Sequence, residues 1–339
     1  MKIKVIIAVC ISVIAILLGI AIGSVYIPPV NILRIIAHKT FGFNLGDHIS
    51  AAHSAIVWNL RLPRTLLAFC AGAALSVSGA VMQSVLRNPL ASSYTLGVSS
   101  GASLGASLVI FMGVNLPFLS MLTLPVLGFV FGLGTILIVM AIAGQLDARM
   151  ENHTIILTGM VFALFINAVT TLMFALFREG TQRMIFWQMG SFSLRDWHTV
   201  YILAPLALGG VFFTSRFKWE LDVMTFGEDN AQAVGVNIRR VKMILLITAA
   251  ALTGSTIAFV GVIGFVDLAA PHIVRKIFNS SHRYVIPMSA VIGGAFMVLA
   301  DLAARTVTPP VELPVGAVTA IIGAQFFAYI YFSKRKKEV

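Results

Sequence analysis

Long apolar runs separated by short polar stretches set the pattern of this chain. They lie near residues 5–25, 65–86, 94–113, 118–145, 154–177, 199–215, 243–260, 262–278, 285–304 and 315–332. A helix needs about 20 mostly apolar residues to cross hydrocarbon. The pattern therefore predicts about ten transmembrane helices in a single all-α membrane domain covering residues 1–339. The pair between 243 and 278 is the least regular, because Gly254, Gly261, Gly264 and Pro271 interrupt it. Gly79 to Pro89 and Gly261 to Pro271 share one spacing, with a pair in each approximate half, 1–180 and 181–339. Five spans per half would invert the second copy, giving two inverted repeats around a central pathway.

Three segments are too polar to span. Residues 26–60 open with Tyr26-Ile27-Pro28-Pro29 and hold an amphipathic stretch at Ile32–Ala37, which predicts a surface helix outside. Residues 178–198 form a second outside segment, with Trp187 and Trp197 suited to the membrane interface. Residues 216–242 form the longest inside loop.

Composition agrees with the pattern. Hydrophobic residues make up 58% and charged residues 11%, against roughly a quarter charged in soluble domains. Mean hydropathy is +0.95, and a soluble enzyme is excluded. The net charge of +11 comes from basic residues scattered between apolar runs, so it marks loop orientation and not nucleic-acid binding. With the N-terminus inside, Arg34, Lys39, Arg61, Arg64, Arg178, Arg183, Arg195 and Arg305 fall outside, and the other Lys and Arg of the 24 fall inside. This asymmetry puts both termini in the cytoplasm. Ile7-Ala8-Val9-Cys10 resembles a lipoprotein cleavage box but comes too early, so residues 5–25 read as an uncleaved first span. Cys10 and Cys70 lie inside apolar runs and suggest neither a disulfide nor a metal site.

Candidate chemistry is sparse. Gly97, Gly101 and Gly105 form a smooth stripe that serves either helix packing or a backbone-lined pathway. Asn88-Pro89 after the second span reads as an interfacial turn or a gate, since irregular backbone at membrane depth needs protein or water to satisfy it. Asp301 and Arg305 form an i,i+4 pair, and Asp267 is an intramembrane acid suited to proton coupling. His272 and His282 read as structural. No phosphate loop, H-E-x-x-H, nucleophile elbow or Cys/His metal cluster occurs, so no ATPase activity, catalytic residue or metal is assigned to this chain. On these features alone, an ion-coupled secondary transporter with inverted repeats stays open.

More specific motifs follow one another in order. They are Trp58-Asn59-Leu60-Arg61-Leu62-Pro63-Arg64, Gly72-Ala73-Ala74-Leu75, Ser78-Gly79-Ala80-Val81-Met82-Gln83, Asn88-Pro89-Leu90-Ala91 and Leu96-Gly97-Val98-Ser99. Farther on come Trp187-Gln188-Met189-Gly190-Ser191-Phe192, Gly227-Glu228, Gly264-Phe265, Pro271-His272, His282-Arg283, Ala300-Asp301 and Glu312-Leu313-Pro314-Val315-Gly316. Together these closely resemble the FecCD-type permeases, the membrane subunits of ABC importers for iron-siderophores, haem and vitamin B12.

The resemblance implies a subunit in the bacterial cytoplasmic membrane, in contact with lipid. It would pair with an identical or paralogous permease, bind two cytoplasmic ATPase subunits that hold ATP-Mg, and receive cargo from an extracytoplasmic binding protein. It implies binding-protein docking at Arg61, Arg64 and Arg305, where a guanidinium fork suits carboxylates. It implies ATPase coupling through Gly227, Glu228, Asp229, Ala231 and Gly235, with Ala231, Ala233 and Gly235 small enough for close seating. It places an inner gate at Asn88, Pro89 and Leu90. A second gating turn falls near Asn152 and His153, where this chain lacks the small hydroxyl residues expected.

Overall fold

The computed structural model describes residues 1–23, 25–43 and 49–335, with side chains through 326. Residues 44–48 of the expected outside segment 26–60, and Lys336 and Lys337 of the inside charge set, lie outside the described residues. Each of the ten apolar runs contains a helix: α1 (Lys2–Ala21), α4 (Leu62–Val85), α5 (Val98–Met112), α6 (Thr123–Leu146), α7 (Asn152–Leu176), α9 (Trp197–Ser215), α12 (Ile238–Val260), α13 (Val266–Ile277), α14 (His282–Thr306) and α15 (Val315–Arg335). The polar segments supply α2 (Pro29–Phe41), α3 (Ala51–Ala55), α8 (Thr181–Gln188), α10 (Lys218–Met224) and α11 (Glu228–Ala233). Seven helices among the described residues are long and apolar enough to cross a membrane; α5 is a shorter apolar helix, and α15 is apolar over Val315–Phe326, the part whose side chains are described.

Two predicted boundaries change. The helix ending at Val85 begins at Ala51 and not near residue 65, joined through a π-helical stretch at Ile56–Arg61. Pro63 explains the irregularity: its ring cannot donate to an i−4 carbonyl and crowds it, so the preceding turn widens. The run 262–278 is not a full span. Its helix α13 has 12 residues, about 18 Å at 1.5 Å per residue, against about 30 Å of hydrocarbon. Residues 261–264 approach it as irregular backbone, and Phe265 turns the chain through a left-handed conformation with φ 70°. Neighbours satisfy that backbone: Ser191 N–H donates to the Val260 carbonyl at 2.8 Å, and the Tyr94 hydroxyl donates to the Ile263 carbonyl.

Helix α4 is the central post, buried along nearly its whole length among α9, α12, α13 and α14. The packing repeats between halves. Helix α4 lies against α14 and α13, as α12 lies against α6 and α5; α5 packs on α6 as α13 packs on α14. This is the pairing expected of a five-plus-five repeat, but the Gly–Pro spacing does not mark it. Gly79 lies inside α4 whereas Gly261 follows the end of α12, and Pro89 is in a turn whereas Pro271 is inside α13.

Small residues let these helices touch, as lipid-embedded helices require. A Cβ on Gly79 would overlap the Asp267 carbonyl, and one on Gly105 would overlap the Leu127 carbonyl of α6. Gly97 caps α5 with φ 82°. The Gly97–Gly101–Gly105 stripe is therefore a packing surface against α6. A buried hydroxyl cluster adds polar contacts: Ser78 Oγ lies 2.8 Å from Ser93 Oγ and 2.7 Å from Thr253 Oγ1, and donates to the Ala249 carbonyl at 2.8 Å.

Candidate functional site

The outer arginines converge at the C-terminal end of α1. A helix end leaves its last four carbonyls without intrahelical donors, and each carbonyl here is accounted for. Leu18 accepts from Ile22 N–H at 3.0 Å, and Gly19 accepts from Arg305 Nη2. Arg61 Nη1 donates to Ile20 and Ala21, both at 3.0 Å, and its Nη2 donates to Val25 at 2.5 Å. Cationic side chains at this pole also complement the helix dipole.

Arg64 turns the other way. It forks onto Asp301 with Nε and Nη2 (3.0 and 2.8 Å) and holds Glu312 with Nη1 at 2.8 Å. Arg61 is 6% exposed, and the side chains of Arg64 and Arg305 are 12% and 8% exposed. All three arginines expected to dock a binding protein are here committed to internal acceptors. Asp301 serves Arg64 first, and its i,i+4 partner Arg305 stands off at 3.8 Å. Only Glu312, with a 40% exposed side chain, meets solvent. Its carboxyl is held below the usual range, chiefly by the hydrogen bond from Arg64. Nearby, Trp197 Nε1 donates to the Trp58 carbonyl at 2.8 Å, and its ring stacks on Tyr201 at 5.7 Å, an aromatic belt at this end.

At the opposite end, α4 finishes in a tight cap. Arg87 adopts φ 49°, and Asn88 N–H reaches back to the Gln83 carbonyl at 3.1 Å. Asn88 Oδ1 then accepts Leu90 N–H at 2.9 Å. Pro89 and Leu90 stand exposed on this turn, which the Asn88 side chain closes as an Asx-type turn.

The expected coupling segment folds as two short helices. Gly227, with φ 120°, opens α11, and Glu228 and Asp229 occupy its first turn, the favourable end for acids. Ala231 is fully buried against the chain's own core, whereas Ala233 and Gly235 are exposed. Trp219, Phe226 and Val234 also stand exposed here, apolar residues that charge-based reading passed over.

Two contacts tie this segment to the helices. In the first, Asp222 of α10 accepts His282 N–H (2.8 Å) and pairs with His282 Nδ1 (2.7 Å), while His282 Nε2 meets Ser84 Oγ at 2.6 Å. In the second, Lys242 of α12 reaches Glu228 at 2.8 Å and donates to the Met150 carbonyl at 2.9 Å. The apolar run begins only at residue 243, so hydropathy alone assigns Lys242 to the loop, whereas α12 starts at Ile238.

Met150 belongs to the turn before α7, with φ 51°. Asp147 closes this turn by accepting Arg149 N–H at 2.9 Å and Glu151 N–H at 2.7 Å. Those bonds, Glu151 first, hold its carboxyl below the usual range. Asn152 begins α7 with a buried Oδ1, and the exposed His153 ring lies 3.2 Å from Glu151. Asp267 is 2% exposed at the start of α13, and neither carboxylate oxygen has a hydrogen-bond partner among the described residues.

The sequence profile of the FecCD transport family matches residues 11–333. The chain belongs to the FecCD transport family. It is 42% identical over 323 residues to YvrB of Bacillus subtilis, named an uncharacterized ABC transporter permease protein, covering 95% of this chain and 91% of YvrB. It is 34% identical over 321 residues to YfmE of the same organism, named an Fe(3+)-citrate import system permease protein, covering 95% and 92%. A solved structure described as an inward-facing, metal-chelate type ABC transporter aligns with TM-score 0.85 and 26% identity, covering 98% of this chain and all of that one.

FecCD relatives are transport permeases, not enzymes, and one constellation among the described residues has an enzyme-like order. Ser84, His282 and Asp222 are ordered as hydroxyl, imidazole and carboxylate, the roles of a hydrolytic triad. Ser84 Oγ, however, is buried and also accepts Arg275 Nη2 at 3.1 Å. In this FecCD chain the trio joins α10 to α14 and α4, and Arg275 adds α13.

Proposed function

We propose that this chain is the membrane-spanning permease of an ATP-driven importer that carries a ferric chelate, most specifically a ferric siderophore, into the bacterial cytoplasm. The observation that carries this reading is the family match across residues 11–333. Relatives named for Fe(3+)-citrate import and a structural neighbour described as metal-chelate type support the cargo class. Two such chains, or this one and a paralogue, enclose the pathway in the cytoplasmic membrane with their termini inside. Two ATPase subunits seat on residues 216–235, where Trp219, Phe226, Val234 and Gly235 offer exposed surface. A binding protein docks at the end where Glu312 meets solvent, and its carboxylates reach Arg64 by displacing Glu312. The turns at Asn88–Leu90 and Asn152–His153 act as inner gates. ATP-Mg is held by the partner subunits.

The test is uptake of radiolabelled ferric siderophore by proteoliposomes holding the purified complex. Uptake should require internal ATP and survive an ionophore. The alternative, an ion-coupled carrier, draws on the unpartnered carboxylate of Asp267. Uptake that persists without ATP, collapses with ionophore and is lost in Asp267→Asn would replace the importer reading.

A further inference from the structure

Lys242 is the least explained charge in the chain. Its side chain is 0% exposed, yet it lies one turn into α12. Its two polar partners belong to different elements: the Glu228 carboxylate opens α11, and the Met150 carbonyl lies in the turn that leads into α7. Met150 of the turn, Ala231 of α11, and Val241 and Leu245 of α12 belong to one buried apolar cluster. An ammonium in such surroundings is tolerated only while paired and hydrogen-bonded. Pulling α11 away from the 147–151 turn would strand that charge.

The rest of the region gives such a link a use. Helix α10 is fastened elsewhere, through Asp222 and His282, to α14 and the central α4. Helix α7 is held chiefly by α5 and α6, and its other face, including Leu157, Val161, Leu164 and Phe165, is exposed. One half of the inside segment is thus tied to the central post, and the other half to the start of a span with an open face.

Resting on the permease reading above, we propose that Lys242 is a positioning residue for transport. It transmits displacement of α11, driven by the ATPase partner, to the 147–151 turn and so to the start of α7.

The test uses the reconstituted complex with its ATPase and binding protein, carrying Lys242→Met, which keeps the stem and removes the charge, or Glu228→Gln, which keeps an acceptor oxygen. In Lys242→Met the ATPase subunits should still copurify and hydrolyse ATP, while uptake per ATP falls at least tenfold. Spin labels at the exposed positions Arg149 and Ala233 supply a readout that a merely structural role would not move. Without the substitution their separation should stay narrow and constant with and without nucleotide; in Lys242→Met it should broaden and shift on nucleotide binding. If Lys242→Met does not fold, the same broadening is required of Glu228→Gln. Uptake per ATP within twofold of the parent, or a constant label distance in the folded variants, would overturn the proposal. An unsubstituted chain that recruits no ATPase overturns the permease reading itself, and this proposal with it.

Discussion

Replacing Asp301 with Asn tests whether the outer arginine cluster is structural. Asp301 has a 2% exposed side chain and accepts three hydrogen bonds from Arg64, two from Nε and one from Nη2. Asn keeps the shape and one acceptor oxygen, but removes the charge and turns the second oxygen into a donor facing a guanidinium. Arg64 and Arg305 would then share only Glu312 as a counter-charge. Two unit charges about 4 Å apart interact by about 4 kcal/mol at an effective dielectric near 20, and breaking a buried pair costs about 3–5 kcal/mol in measured cases. We expect a loss of about 3–4 kcal/mol, read as denaturant midpoints of the detergent-solubilised chain. The loss should be nearly the same at about 0.05 M and about 0.5 M salt, because buried pairs are poorly screened. The double variant Arg64→Met with Asp301→Leu should recover most of it, since apolar replacement of a whole buried pair is often neutral. A loss under about 1 kcal/mol, or one that disappears with salt, is the behaviour of an exposed pair and would refute the structural assignment.

Glu312→Gln separates structure from docking at the same place. If Arg64 meets the binding protein by exchanging carboxylates, the variant should speed association at low salt; an unchanged rate would remove Arg64 from the docking surface. The variant also has a pH signature. Arg64 holds the folded Glu312 carboxyl below its unfolded value, so its contribution is complete above that value, near pH 4.3, and is lost as pH falls through the folded one. The stability gap between parent and Glu312→Gln should therefore be flat from about pH 6 to 8 and shrink in acid; a gap that widens in acid would contradict the contact. Gly79→Val places side-chain atoms against the Asp267 carbonyl, and should cost about 1–3 kcal/mol or more, seen as loss of the monodisperse peak in size-exclusion chromatography. Phe226→Asp should weaken ATPase copurification without moving the melting temperature of the permease alone, because Phe226 is 78% exposed; a large melting shift would mean that it supports the fold.

The spans were legible because lipid leaves few solutions: apolar runs of adequate length must be helices that satisfy their own backbone. The exceptions show where that logic stops. Gly254, Gly261, Gly264 and Pro271 mark the 243–278 stretch as irregular, but the shortness of α13 and the turn at Phe265 do not follow from them, because hydropathy measures burial, not continuity of the helix, and residues 261–264 are apolar without being helical. The arginines' internal contacts are illegible in sequence for a related reason. A basic residue beside a span reads as a surface charge, yet Arg61 and Arg305 complete an α1 terminus that has no basic residue of its own in its last turn. That need exists only in three dimensions, since Arg305 lies at the far end of the sequence from Gly19.

Lys242 shows the opposite case, a signal present but unread. Ile238, Val241, Leu245, Leu246 and Ala249 recur at helical spacing along the buried face of α12, and Lys242 falls within that stripe. A lysine on an apolar stripe demands partners from outside its own helix, and those found are the first residue of α11 and the turn before α7. The importer assignment therefore rests on motifs spread along the whole chain, whereas the path by which an ATPase would move the spans rests on one side chain out of register with its surroundings. Mutagenesis that follows the family motifs alone would pass over that side chain.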